Sequence, residues 1–177
     1  MVFQLVMEKS CPTSRKAAIL AHSQAYAGAR AEFRKRASFF HREDEAYLRF
    51  LIPEGVRVLD IGCGIGDTLA ALKPSHGVGV DFSPALIDIA RKMHPELQFH
   101  VLDAENPAVV AEIGETFDYI LVHDTVGSFD DCQKFFEHAR DAARGWLFFP
   151  PLAARVEARR ALETPCALSR AECSGSI

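Results

Sequence analysis

A chain of 177 residues suffices for one domain with a buried core and leaves little for a second. Its 49% hydrophobic and 25% charged residues are ordinary for a soluble globular protein, and no stretch approaches the roughly 18 apolar residues of a membrane span. A net charge of −4 gives no electrostatic reason to expect nucleic acid or an anionic membrane as main partner.

Residues 1–7 are apolar but short, without the basic start or small-residue cleavage site of a signal peptide. Cys11, Cys63, Cys132, Cys166 and Cys173 are odd in number and form no CxxC pair, which argues against a disulfide framework or zinc site and for a reducing cytoplasm. From residue 14 to 51 the sequence predicts one or two helices, with apolar residues at helical spacing (Ala18, Tyr26, Phe33, Phe40, Tyr47, Phe50). The basic stretches 30–36 and 155–160 are expected to be solvated helix faces. Pro53 and Gly55 break the pattern, so residues 1–54 form a helical cap over whatever the later motifs bind.

Beyond Gly55 short apolar runs alternate with helical stretches. Strands are predicted at 56–61, 77–80, 99–102, 117–122 and 146–149, and helices at 67–72, 84–93, 107–113 and 130–144. Near-continuous apolar strands are buried on both faces, and strand–helix alternation implies right-handed parallel crossovers. The expected core, 55–150, is therefore a Rossmann-like, doubly wound α/β sheet, mostly parallel, in the order 3-2-1-4-5. Ser83 is a good N-cap and Pro84 suits the first helical position. Pro150 and Pro151 stop the fifth strand, and 151–177 reads as a charged helix and tail with no further strand pair.

The densest chemistry follows the first strand. Gly62, Gly64 and Gly66 form a turn that a ligand can approach without meeting a Cβ, at the carboxyl ends of the strands where such sheets bind nucleotides. The spacing is not the Gly-x-Gly-x-x-Gly of dinucleotide sites, and no Gly-Lys-Ser/Thr follows. Asp60 and Asp67 flank the turn and would repel a pyrophosphate, but they suit a ligand with ammonium and sulfonium charges, such as S-adenosylmethionine. Asp81 closes the second strand, where a carboxylate can accept both hydroxyls of a ribose. Asp103 closes the third and could accept from an adenine amino group, with Phe82 against the ring.

These motifs resemble class I S-adenosylmethionine-dependent methyltransferases, especially the small-molecule group. Residues 58–69 look like that family's first motif, 77–90 its second, 99–105 its third and 117–131 its fourth-strand motif. The resemblance implies that Asp60, Gly62, Gly64 and Asp67 surround the methionine moiety and that Asp81 holds the ribose. It places Phe82 and Asp103 at the adenine, with Cys63 and Ala104 also binding cofactor and His123 in the pocket wall. Phe40, His41 and Tyr47 would belong to the lid, and the cofactor would be S-adenosylmethionine with a small-molecule acceptor. The family's sheet continues into an antiparallel strand pair, from which residues 151–177 depart as a divergent or truncated end.

Methyl transfer from a sulfonium is an in-line displacement dominated by alignment, and a base helps only if the acceptor must lose a proton. His123 and Asp124, after the fourth strand, are the candidate catalytic pair, with His41 and Tyr47 as further candidates from the lid. The alternative for the pair is a pocket wall and a turn cap. The other histidines show no metal-ligand spacing and are expected at the surface or strand edges, and Cys132, Phe135 and Phe136 as packing. Two other functions stay open: a catalytically impaired S-adenosylmethionine-binding domain, and an NAD-dependent oxidoreductase that the glycine spacing, Asp60 and Asp67 disfavour.

Overall fold

The computed structural model describes residues 13–106, 113–139 and 143–149. Two helices come first, α1 over Ser14–Arg36 and α2 over Ser38–Leu51, joined at Ala37. Thr13 caps α1 by accepting from Lys16 N at 3.2 Å, and Arg34, Lys35 and Arg36 complement the dipole of its last turn.

The large aromatics of the expected apolar stripe do not form its inner face. Tyr26, Phe33, Phe40, Tyr47 and Phe50 are 58, 59, 53, 49 and 83% exposed. The buried positions are instead Ala27 on α1 and Asp44 and Leu48 on α2. The reason is geometric: α1 packs through a small residue, Ala27, against Ile65 and Leu86, where a bulky ring would hold the helix away.

The sheet strands are β1 (Arg57–Ile61), β2 (His76–Asp81), β3 (Gln98–Val101), β4 (Phe117–His123) and β5 (Ala143–Phe149). All four pairings are parallel, in the order β3-β2-β1-β4-β5. Between them lie α3 (Asp67–Ala71), α4 (Pro84–Met93), a 3-10 turn at Val126–Ser128 and α5 (Cys132–Ala139). The fold class and strand order are those expected. The last helix is shorter than predicted, because Ala143 already pairs with Phe117 and the chain is extended from there. The predicted helix at 107–113 falls almost wholly outside the described residues, as do Cys11, Cys166, Cys173 and 151–177.

Strand alternation divides the core in two. Val58 and Leu121 face α2, α3 and α4 and pack with Leu48, Leu69, Ile87 and Ala90. Leu59, Ile61, Val78, Val80, Ile120 and Val122 face the other way and pack with Phe117 and Phe135. Burial on both faces explains why β1, β2 and β4 read as almost unbroken apolar runs. Cys63 and Cys132 are free thiols, and Cys132 is exposed rather than in the core: it opens α5 on the solvent side, and Phe135 supplies that helix's buried contact. Among the described residues no helix is long and apolar enough to cross a membrane.

Candidate functional site

The turn after β1 is tied down by backbone bonds. Gly62 N and Cys63 N both donate to Val80 O, at 2.7 and 3.0 Å, and Gly66 N donates to Cys63 O at 2.9 Å. Gly64 N donates to Asp81 Oδ2 at 3.0 Å, while Asp81 Oδ1 accepts from Ser83 N at 2.8 Å. One carboxylate thus joins the β1 turn to the start of α4. Ser83 was expected to cap α4 through its hydroxyl, but its Oγ is buried without a hydrogen-bond partner. The cap works through the Ser83 carbonyl, which accepts from Ile87 N at 3.2 Å.

Two glycines need their missing side chain for different reasons. Gly62 has φ +76°, and a Cβ there would lie 2.2 Å from Thr125 Oγ1. Gly64 has φ +57°, and a Cβ would meet nothing within 4 Å. The first glycine lets the chain pass Thr125, in the loop after β4, and the second keeps open space beside the backbone.

Two clefts flank this turn and share Gly62. The smaller, about 350 Å³ including its open mouth, lies along the ends of β2 and β3 and is lined by Asp81, Phe82, Asp103, Ala104, Thr125 and Phe129 among others. The larger, about 610 Å³ on the same measure, is lined by Asp60, Cys63, Gly64, Asp67, His123 and Asp124 from the core, and by Arg30, Phe33, Arg34 and His41 from the cap. Apart from Gly66, where a Cβ would instead strike Phe99, every core residue assigned to the predicted site lines one of the two. Of the three expected lid residues, His41 lines the larger cleft and Phe40 and Tyr47 line neither.

The acids differ in state. Asp60 is 2% exposed; burial, with Asp81 as a neighbouring negative charge, raises its pKa to about 7, against the pull of Arg34. Burial also raises Asp81, opposed by its two backbone bonds, and pushes the Cys63 thiol up. Asp67 is paired twice, with Arg34 Nε at 2.6 Å and His94 Nε2 at 2.8 Å. Arg34 also pairs with Glu45. Arg34 is therefore an internal cation and not part of a solvated face, and His94 is mostly buried rather than at the surface.

Asp103 is paired as well. Lys16 Nζ lies 2.6 Å from Asp103 Oδ2 and 2.6 Å from Glu105 Oε2. Burial opposes the Lys16 charge, but hydrogen bonds and attraction from both acids win, and its pKa stays above the ordinary lysine value. Arg15 donates to the carbonyls of Phe129, at 2.5 Å, and Gly127, and Thr13 Oγ1 donates to Asp130 Oδ2 at 2.7 Å. Glu105 also accepts from the backbone of Asp130 and Asp131 at 2.9 and 2.6 Å. The first turn of α1 is thereby latched over the smaller cleft.

Replacing Lys16 with methionine leaves Glu105 short of its cation, and an expected cost of about 1–3 kcal/mol follows for so partly buried a pair. Hydrogen exchange should rise in the first turns of α1 and near residues 126–131, with the sheet unchanged. Unaltered protection there would show that the latch holds nothing.

Lys16, Ala27, Arg30 and Arg34 share one face of α1, since Lys16 and Arg34 are about five helical turns apart. That cationic stripe was a signal available in the sequence, hidden by the louder aromatic pattern. On the opposite wall His123 Nε2 lies 3.9 Å from Asp44 Oδ2, and Asp124 is exposed with φ +56°. His41 Nε2 is buried without a hydrogen-bond partner, a state that costs about 1–3 kcal/mol. Burial, with Arg34 and Arg30 nearby, lowers the His41 pKa against Asp44 and Glu45. No cluster able to hold a metal occurs among the described residues.

Residues 29–174 match the family described as "Methyltransferase domain". A magnesium-protoporphyrin O-methyltransferase of Rhodobacter capsulatus is 43% identical over 79 residues, 41% of this chain and 33% of that protein. A ubiquinone biosynthesis O-methyltransferase of Chelativorans sp. (strain BNC1) is 36% identical over 119 residues, 64% of this chain and 45% of the relative. The chain thus spans between a third and a half of the length of these curated relatives. Among solved structures, magnesium protoporphyrin IX methyltransferase of Synechocystis PCC 6803 with bound SAH superposes with a TM-score of 0.59 at 15% identity, covering 84% of this chain and 78% of that one. At that identity the likeness is one of fold.

Proposed function

The chain belongs to the methyltransferase-domain family, and from that premise we propose that it binds S-adenosylmethionine across the two clefts and methylates a small-molecule acceptor. The observation that carries this reading is the open backbone at Gly64, set between the clefts with the buried acid Asp60 in the larger one. Asp67 and Asp103 already have cations from α1, so the sign argument rests on Asp60. Burial and the charge of Asp81 disfavour the Asp60 carboxylate, and an approaching ammonium would stabilise that charged form.

The remaining contacts follow the clefts. Asp81 retains lone pairs on both oxygens beyond its two backbone bonds and would accept from ribose hydroxyls. Phe82, Ala104 and Asp103 would take the adenine, and Gly62, Cys63, Gly64 and Asp67 the amino-acid end. When bound, the sulfonium supplies an electrophilic methyl group with a neutral thioether as leaving group. The protein's share is to orient the acceptor and exclude water, which α1 does by roofing both clefts. His123 and Asp124 stand at the wall of the larger cleft, where a proton acceptor would serve an acceptor that ionises.

Titration calorimetry on the whole chain tests the reading. S-Adenosylmethionine and S-adenosylhomocysteine are expected to bind and NAD is not; binding of NAD alone would end the proposal. Formation of S-adenosylhomocysteine over a metabolite panel separates an enzyme from a domain that only holds the cofactor.

A further inference from the structure

Three side chains of the cap meet at the larger cleft with unused binding capacity. Arg30 lines it from α1, is exposed, and forms no ion pair among the described residues. Phe33 is 59% exposed and stands edge-on to His41, with ring centroids 6.4 Å apart. His41, from α2, keeps its Nε2 buried and unpartnered in the same cleft. An exposed cation, an exposed ring face and an unpartnered ring nitrogen thus stand together at one cleft.

We propose that Arg30, Phe33 and His41 form the acceptor site, and that the acceptor is a planar aromatic with a hydroxyl at one end and an anionic group at the other. The guanidinium suits a carboxylate, which it can hold through two parallel bonds. The ring offers a flat apolar surface. Burial, with Arg34 and Arg30, lowers the imidazole's pKa against Asp44 and Glu45, and a neutral ring offers one nitrogen lone pair to a hydroxyl proton. Orientation follows from Arg30, which is exposed and draws an anion to the rim of the cleft, away from the buried Asp60. The hydroxyl then points inward, toward His41 and the Gly64 side of the cleft.

This site rests on the methyltransferase reading, and the experiment keeps the two apart. The whole chain, saturated with S-adenosylhomocysteine, is titrated with 6-hydroxy-2-naphthoate, 2-naphthoate and 2-naphthol, followed by naphthalene fluorescence. The first should bind most tightly. R30Q should weaken it about tenfold or more, to the level of 2-naphthol, and leave 2-naphthol itself unchanged. H41F should bring it to the level of 2-naphthoate. Equal binding of all three, or of none, with S-adenosylhomocysteine bound would overturn the acceptor site alone. Loss of S-adenosylhomocysteine affinity in R30Q would also overturn it, by giving Arg30 to the cofactor's carboxylate. Failure of the unaltered chain to bind S-adenosylhomocysteine would sink the underlying reading and this site with it.

Discussion

Asparagine in place of Asp60 is expected to make the chain more stable above neutral pH and to weaken S-adenosylmethionine by more than about 100-fold. The folded carboxyl holds its proton up to about pH 7, whereas its ordinary value is 3.8. Between those values the folded state binds more protons than the unfolded chain, so this group's contribution to stability falls as pH rises through the interval and levels off above it. The full swing is about 4 kcal/mol, taken at 1.36 kcal/mol per pKa unit. D60N should therefore unfold like the parent near pH 4 and at higher urea than the parent at pH 8.

Ligand binding should run the other way. A cationic amino acid meets a charged Asp60 only once the proton has left, so affinity in the parent rises from pH 5.5 to 8 and binding below neutrality releases a proton. Calorimetry in buffers of different ionisation enthalpy reads that proton directly. In D60N the ammonium has no anion, a loss of about 3 kcal/mol or more in a buried pair, and the pH dependence flattens. A D60N chain with the parent's affinity and pH profile would show that the ammonium lies elsewhere.

Alanine at Gly62 and at Gly64 should separate a glycine that serves the fold from one that serves a ligand. At Gly62 the left-handed φ costs about 1–2 kcal/mol and the overlap with Thr125 adds about 1–3, so G62A should lose roughly 2–5 kcal/mol in urea unfolding. Adding Thr125→Gly removes the atoms that a Cβ would strike and should recover the steric part, leaving the backbone part. G64A carries only the backbone cost, yet its Cβ projects into the space beside the turn. It should fold within about 2 kcal/mol of the parent and bind S-adenosylmethionine at least about tenfold more weakly. Undiminished binding by G64A, or undiminished stability of G62A, would mean that the turn is built differently.

The strands, the glycine turn and the acids at the strand ends were legible in the sequence because their causes are local. A strand buried on both faces must be apolar throughout, a left-handed backbone asks for glycine, and a residue ending a parallel strand lies at the carboxyl edge whatever surrounds it. The same local logic found His41 as a cap residue but misjudged Tyr47, the aromatic stripe, Arg34 and His94. Hydrophobicity is a sound guide to the inner face when a helix packs on apolar core. It fails for α1, which lies over a polar cleft and is held by Lys16, Arg34 and one small residue, Ala27.

By itself, then, the order of residues determined a five-stranded parallel sheet with a glycine turn and acids at the carboxyl ends of its strands. Only the tertiary structure decided which of those acids are already neutralised and which still holds its proton near neutrality. Lys16 meets Asp103 across 87 positions, and Asp60 owes its raised pKa to burial and to Asp81. Charge pairing and desolvation depend on distances of a few ångströms and on exclusion of water, and both exist only once distant segments have come together.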